Sequence, residues 1–108
     1  RLNAILNHRS QDMLTANNWN VVQYAALVHM MAQVSGLQAG ELVHVIADCH
    51  IYDRHIPLVE RMLQNEARSA PQFRMDPAVT DFYAFTVDSF HFDGYNPCPF
   101  DEKIPVAI

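Results

Sequence analysis

The stretch Val21–Val34 constrains this chain more than any other, because it is apolar almost all the way round. Val21, Val22, Tyr24, Ala25, Ala26, Leu27, Val28, Met30, Met31 and Ala32 leave only Gln23, His29 and Gln33 as polar interruptions. A surface helix carries one apolar stripe, whereas a helix apolar on every side is a buried one. The segment therefore predicts a long interior helix that needs other elements packed around it. The polar residues Thr15 to Asn18 supply capping groups before it. Ser35-Gly36 and Gly40 end it and turn the chain.

Strands are the natural cover. Residues 2–9 set Leu2, Ala4 and Leu6 against Asn3, Asn7 and Arg9, an alternation broken only by Ile5. Residues 42–52 are rich in Val and Ile, and period-two geometry puts Asp48, His50 and Tyr52 on one face. Asp53 is placed to cap a second helix, with Pro57 in its first turn and an inward stripe of Ile56, Val59, Met62 and Leu63. Phe73–Met75 and Phe85–Phe92 read as short strands. The expected class is α+β, a mixed β-sheet packed against one long buried helix plus a shorter amphipathic one, all within a single domain over 1–108. The proline-punctuated tail ends in Ile104-Pro105-Val106-Ala107-Ile108, an apolar terminus that covers something or is covered.

Composition narrows function. The 108 residues are half hydrophobic with a net charge of -5, so the summed field repels nucleic acid polymers and anionic membranes alike. Any phosphate must be held by local cations. No apolar run of about 18 residues suggests a membrane span, and no signal peptide is visible. Cys49 and Cys98 form no paired motif, which reads as a reduced, cytoplasmic protein. The chain opens Arg1-Leu2-Asn3, without methionine and inside a strand pattern, as a fragment or processed product would.

Few residues carry chemistry on type alone. Arg9 offers a forked, permanent cation and Ser10 a hydroxyl, a pairing suited to phosphate, although by itself it reads as solvated surface. His50 and His55, near Asp48, Cys49 and Asp53, do not offer the three or four converging ligands that zinc needs, so no metal is expected. His29 reads as an interior histidine, and His8, His44 and His91 show no partner pattern. Cys49 is adjacent to His50, but neighbouring strand residues point to opposite faces, so it lacks an activating base. Cys98, between Pro97 and Pro99, lacks one too.

Taken in order, several segments resemble thymidylate synthase. They are Arg9-Ser10-x-Asp12, Asn20, Tyr24-Ala25-x-Leu27-Val28-His29-Met30-Met31-Ala32-Gln33, Asp48-x-His50-Ile51-Tyr52, Gly94-Tyr95-x-Pro97-x-Pro99 and the terminal Pro105-Val106-Ala107-Ile108. The resemblance covers essentially the whole chain and corresponds to the C-terminal portion of that family's fold. It implies an obligate homodimer that methylates dUMP to dTMP with 5,10-methylenetetrahydrofolate as cosubstrate. It also implies roles by position. Arg9 and Ser10 would bind the nucleotide phosphate, and Asp12 would meet the pyrimidine through its backbone and the folate through its side chain. Asn20 would bond the uracil ring, and His50 and Tyr52 the deoxyribose 3'-hydroxyl. Trp19, Ala107 and Ile108 would lie on the folate side, with the Ile108 carboxylate closing the tail over bound ligands. The family's nucleophilic cysteine lies in a Pro-Cys-His segment upstream of the Arg-Ser motif, so no catalytic nucleophile is expected within these residues.

Some positions depart from the family pattern. His8 stands where Gln is common, Thr15-Ala16-Asn17-Asn18-Trp19 replaces Leu-Gly-x-Pro-Phe, Ile46-Ala47 replaces glycines and Cys98 replaces His. The first two lie beside the expected pyrimidine and folate contacts. Two readings compete with the enzyme portion: a non-catalytic nucleotide-binding module, and an inert piece whose apolar surfaces drive dimerisation.

Overall fold

The computed structural model describes residues 1–106. Its first half is a β-α-β unit: β1 (Leu2–Asp12), α1 (Asn17–Val34) and β2 (Ala39–His50), with β1 and β2 paired in parallel. Two parallel neighbours cannot be joined by a tight hairpin, and α1 is the crossover that brings the chain back to the same end. The register sets Leu6 beside His44, Ser10 beside Asp48 and Asp12 beside His50. The expected strands are present and each is longer than predicted. Gly40 is part of β2 rather than a turn, and the pairing shifts between Leu2 and Ala4. A Cβ on Gly40 would stand 2.0 Å from the Asn3 Oδ1 atom, which instead accepts the Glu41 amide at 2.9 Å. Only glycine leaves room for that tie.

No side chain caps the start of α1. Its N-cap is Ala16, and the polar residues before it serve Asp12 instead. Its end is a Schellman turn: Gly36 has φ 65°, its amide bonds Gln33 and the Leu37 amide bonds the Ala32 carbonyl at 2.8 Å. Val28 and Ala32 are buried against the sheet, while Trp19, Val22, Tyr24 and Met31 stay exposed. The apolar circumference is thus covered on one side only among the described residues. The outer face of the strand pair is likewise bare, with Ile5 68% exposed and Val43 and Val45 close to half exposed.

Residues Asp53–His55 form a short 3₁₀ helix running into α2 (Ile56–Met62), with Pro57 in the first turn as expected. Asp53 makes no capping bond here. The buried face of α2 carries His55, Leu58 and half-buried Met62, spaced i, i+3 and i+7, whereas Ile56 and Leu63 are exposed. The inward stripe is therefore rotated from the one predicted, because the 3₁₀ turn sets the helix phase one residue earlier.

The second half holds β3 (Gln72–Met75) and β4 (Phe90–Asp93), paired antiparallel. Parallel and antiparallel pairings thus both occur, in two separate two-stranded ladders. Phe73 packs on Phe92 and Phe90, and Arg74 forms an ion pair with Asp93. The strand expected over 85–92 is confined to its end. Asp81 accepts the Tyr83 amide, and Thr86 and Ser89 form a reciprocal capping box, so residues 82–84 and 87–89 curl into single 3₁₀ turns. Gln33 Nε2 donates to the Asp76 and Val79 carbonyls at 2.9 and 2.7 Å, fastening this half to α1. His29 proves exposed rather than interior, its ring edge-on to Phe73 at 4.9 Å.

Candidate functional site

Parallel pairing delivers the carboxyl ends of both strands to one edge, and the polar residues gather there. Ligands of parallel α/β arrangements favour that edge. From β1 come Arg9, Ser10, Gln11 and Asp12; from β2 come Asp48 and His50; Tyr52 follows two residues later. Asp48 ties the strands together: Ser10 Oγ donates to its Oδ2 at 3.3 Å, and His50 Nδ1 meets its Oδ1 at 3.3 Å. A carboxylate only accepts, so the imidazole proton sits on Nδ1 and the His50 Nε2 atom is left for another partner. β2 ends at His50, so Tyr52 is not on the strand. The shared-face expectation nevertheless leads to the right neighbourhood, because the Tyr52 ring meets His50 edge-on at 5.1 Å.

Gln11 is 1% exposed and polar, which requires partners. Its Nε2 donates to the Asp12 carbonyl and its Oε1 accepts from Asn20 Nδ2, both at 3.3 Å. Asn20 lies in the first turn of α1, so this bond fixes the helix start against the end of β1. Asp12 organises the connection between them. Its carboxylate accepts the Leu14 and Thr15 amides at 3.0 and 3.2 Å and the Thr15 hydroxyl as well. Burial pushes the Asp12 carboxyl up, but the Thr15 hydroxyl, these two amides and nearby His55 outweigh it and hold it below the ordinary carboxylate range.

Arg9 is exposed and forms no ion pair among the described residues. Its guanidinium is therefore not committed to a carboxylate at this edge. Trp19 is exposed at the start of α1, beside Asn20. Ala107 and Ile108 lie outside the described residues. Cys49, free and exposed, pairs in register with Gln11 and alternates away from His50; Cys98 Sγ points at the Glu66 carbonyl at 3.8 Å.

Over its whole length, residues 1–108, the chain matches the model of a single family, described as thymidylate synthase. The chain belongs to the thymidylate synthase family. Its fold is similar to that of the thermostable thymidylate synthase A from Bacillus subtilis, with a TM-score of 0.83 at 38% identity. That likeness covers 94% of this chain and 36% of the Bacillus protein, so the chain spans little more than a third of that relative's length.

Three features of this thymidylate synthase segment escaped sequence reasoning. Asp48 was grouped with His50 by alternation, but its bridge to Ser10 depends on the parallel register. Gln11 carried no signal apart from lying between Ser10 and Asp12. His8 and His44, read as unpartnered, form a pair with Nδ1 and Nε2 3.0 Å apart, visible only once Leu6 is set beside His44. Among the described residues, no group of three or more His, Cys, Asp or Glu side chains could hold a metal, and no helix is long and apolar enough to cross a membrane.

Proposed function

We propose that this chain is the C-terminal portion of a cytoplasmic, homodimeric thymidylate synthase that methylates dUMP to dTMP with 5,10-methylenetetrahydrofolate as cosubstrate. The observation that carries the reading is the convergence of Arg9, Ser10, Asp48, His50 and Tyr52 at the carboxyl edge of β1 and β2, with Asn20 joined to it through Gln11. In this reading Arg9 and Ser10 take the phosphate, since an uncommitted guanidinium and a hydroxyl offer the charge-assisted donors that a dianion needs. Bare His50 Nε2 accepts the deoxyribose 3'-hydroxyl proton, and the Tyr52 hydroxyl donates to the same oxygen. Asn20 presents an amide, whose acceptor and donor match the carbonyl and ring N–H of uracil. Asp12, with its carboxylate ordering the turn before α1, sets its own backbone toward the pyrimidine and that turn toward the folate, where Trp19 offers an exposed aromatic face.

The thiolate that attacks the pyrimidine is supplied from outside these residues, because neither Cys49 nor Cys98 has an activating neighbour. The tail, ending in Ala107 and Ile108, closes over the ligands and keeps water from the reacting centre. The bare strand face bearing Ile5, Val43 and Val45 supports the dimeric reading, since apolar surface of this kind is normally covered by a partner.

The decisive experiment measures dTMP formation from dUMP and methylenetetrahydrofolate by the complete protein that carries this sequence, with the isolated 108 residues as control. The complete protein should make dTMP and the isolated chain none. An inactive complete protein that still binds dUMP would favour the nucleotide-binding module, and turnover by the isolated chain would overturn the assignment of the nucleophile.

A further inference from the structure

Arg54 and His55 hold the far end of the chain against the site. Arg54 Nη1 donates to the Val106 carbonyl at 2.6 Å, and His55 Nε2 donates to the Pro105 carbonyl at 2.8 Å. Two consecutive side chains thus grip two consecutive carbonyls, which fixes both the position and the direction of the segment. Little else does so: among the described residues, no backbone–backbone hydrogen bond joins 94–106 to the rest of the fold. The other polar tie on this stretch of tail is the Arg61–Glu102 pair, a few residues earlier.

His55 is built for more than a surface contact. It is 2% exposed, and its Nδ1 atom is buried with no partner, so its one polar tie is to the tail. Its ring lies edge-on to Tyr52 at 5.6 Å, and Tyr52 lies edge-on to His50 at 5.1 Å. A continuous line of rings therefore runs from the edge of β2 to the Pro105 carbonyl.

We propose that Arg54 and His55 are positioning residues, a two-donor clamp that sets the tail in register with the His50–Tyr52 pair. Neither need touch a ligand; both act through Pro105 and Val106. The kinetic part of this inference rests on the synthase reading above, while the clamp itself does not.

The test uses the complete protein carrying these residues and the variants Arg54→Met, His55→Met and His55→Gln. Carbonyl ¹³C shifts of Pro105 and Val106, each read through the following amide, report whether a donor is present. Arg54→Met should move the Val106 signal upfield and His55→Met the Pro105 signal. His55→Gln, whose amide can reach about as far as Nε2, should preserve it. In turnover, Arg54→Met and His55→Met should lower kcat about tenfold, the worth of one or two net hydrogen bonds. The KM for dUMP should stay within about twofold, and His55→Gln should recover most of the rate. Because Arg54 is exposed, its variant carries the test even if His55→Met fails to fold. Unmoved carbonyl shifts overturn the clamp whatever the activity. Moved shifts with unchanged kcat overturn its role in positioning. A parent protein that forms no dTMP overturns the synthase reading instead, and the shifts still decide the clamp.

Discussion

Replacing Asn20 with aspartate probes structure and proposed chemistry at once. Asn20 Nδ2 donates to Gln11 Oε1 at 3.3 Å, and Gln11 is nearly sealed from solvent. In Asn20→Asp two acceptors face each other across that distance. Turning the Gln11 amide over would not help, because its Nε2 is already given to the Asp12 carbonyl at 3.3 Å and the turn would set two oxygens together there. One buried polar atom is left without a partner in either arrangement, at a cost of about 1–3 kcal/mol. Denaturant unfolding of the complete protein should show that loss. The same exchange reverses one contact to the pyrimidine ring, so the ratio of kcat/KM for dUMP over dCMP should fall roughly tenfold or more, since 1.4 kcal/mol is about a factor of ten. Asn20→Ala separates the two effects: it removes the donor without adding a charge and should weaken both nucleotides alike. A variant Asn20→Asp of unchanged stability would refute the Gln11 bridge. Unchanged selectivity would refute the placement of Asn20 against the base.

Three further outcomes follow from the geometry. Arg9→Met should weaken dUMP binding by about ten- to a hundredfold, the value of charge-assisted bonds to a phosphate, while deoxyuridine binding measured by calorimetry should hardly change. The Asp12 carboxyl titrates below its unfolded value, so the stability it contributes is present above the ordinary carboxylate range and is lost as pH falls through the depressed folded value. Thr15→Val should raise that carboxyl toward its ordinary value in an NMR titration and start acid unfolding at a higher pH. Gly40→Ala forces Asn3 Oδ1 off the Glu41 amide and should cost about 1–2 kcal/mol by denaturant unfolding; in an Asn3→Ala background that cost should shrink, and simple additivity would refute the contact.

Much of the local structure was readable from residue order. Periodicity identified α1 and both long strands, and Gly36 marked the end of α1, because these depend on neighbours a few residues apart. The chemical types at the site were equally legible: a cation and hydroxyl in Arg9-Ser10, an amide in Asn20, and ring donors and acceptors in His50 and Tyr52. Which of them meet was not legible. Ser10 reaches Asp48, and His8 reaches His44, only through a parallel register that a crossover helix establishes, and side-chain alternation is the same in parallel and antiparallel strands. The phase of α2 depended on a single 3₁₀ turn that moved the buried face onto His55 and Leu58. His55, ordinary by composition, became a buried link to Pro105 because residues fifty positions apart fold back together. Local order specified the elements and their chemistry; long-range packing chose the pairings, since the energies that select among registers come from contacts between segments distant in the chain.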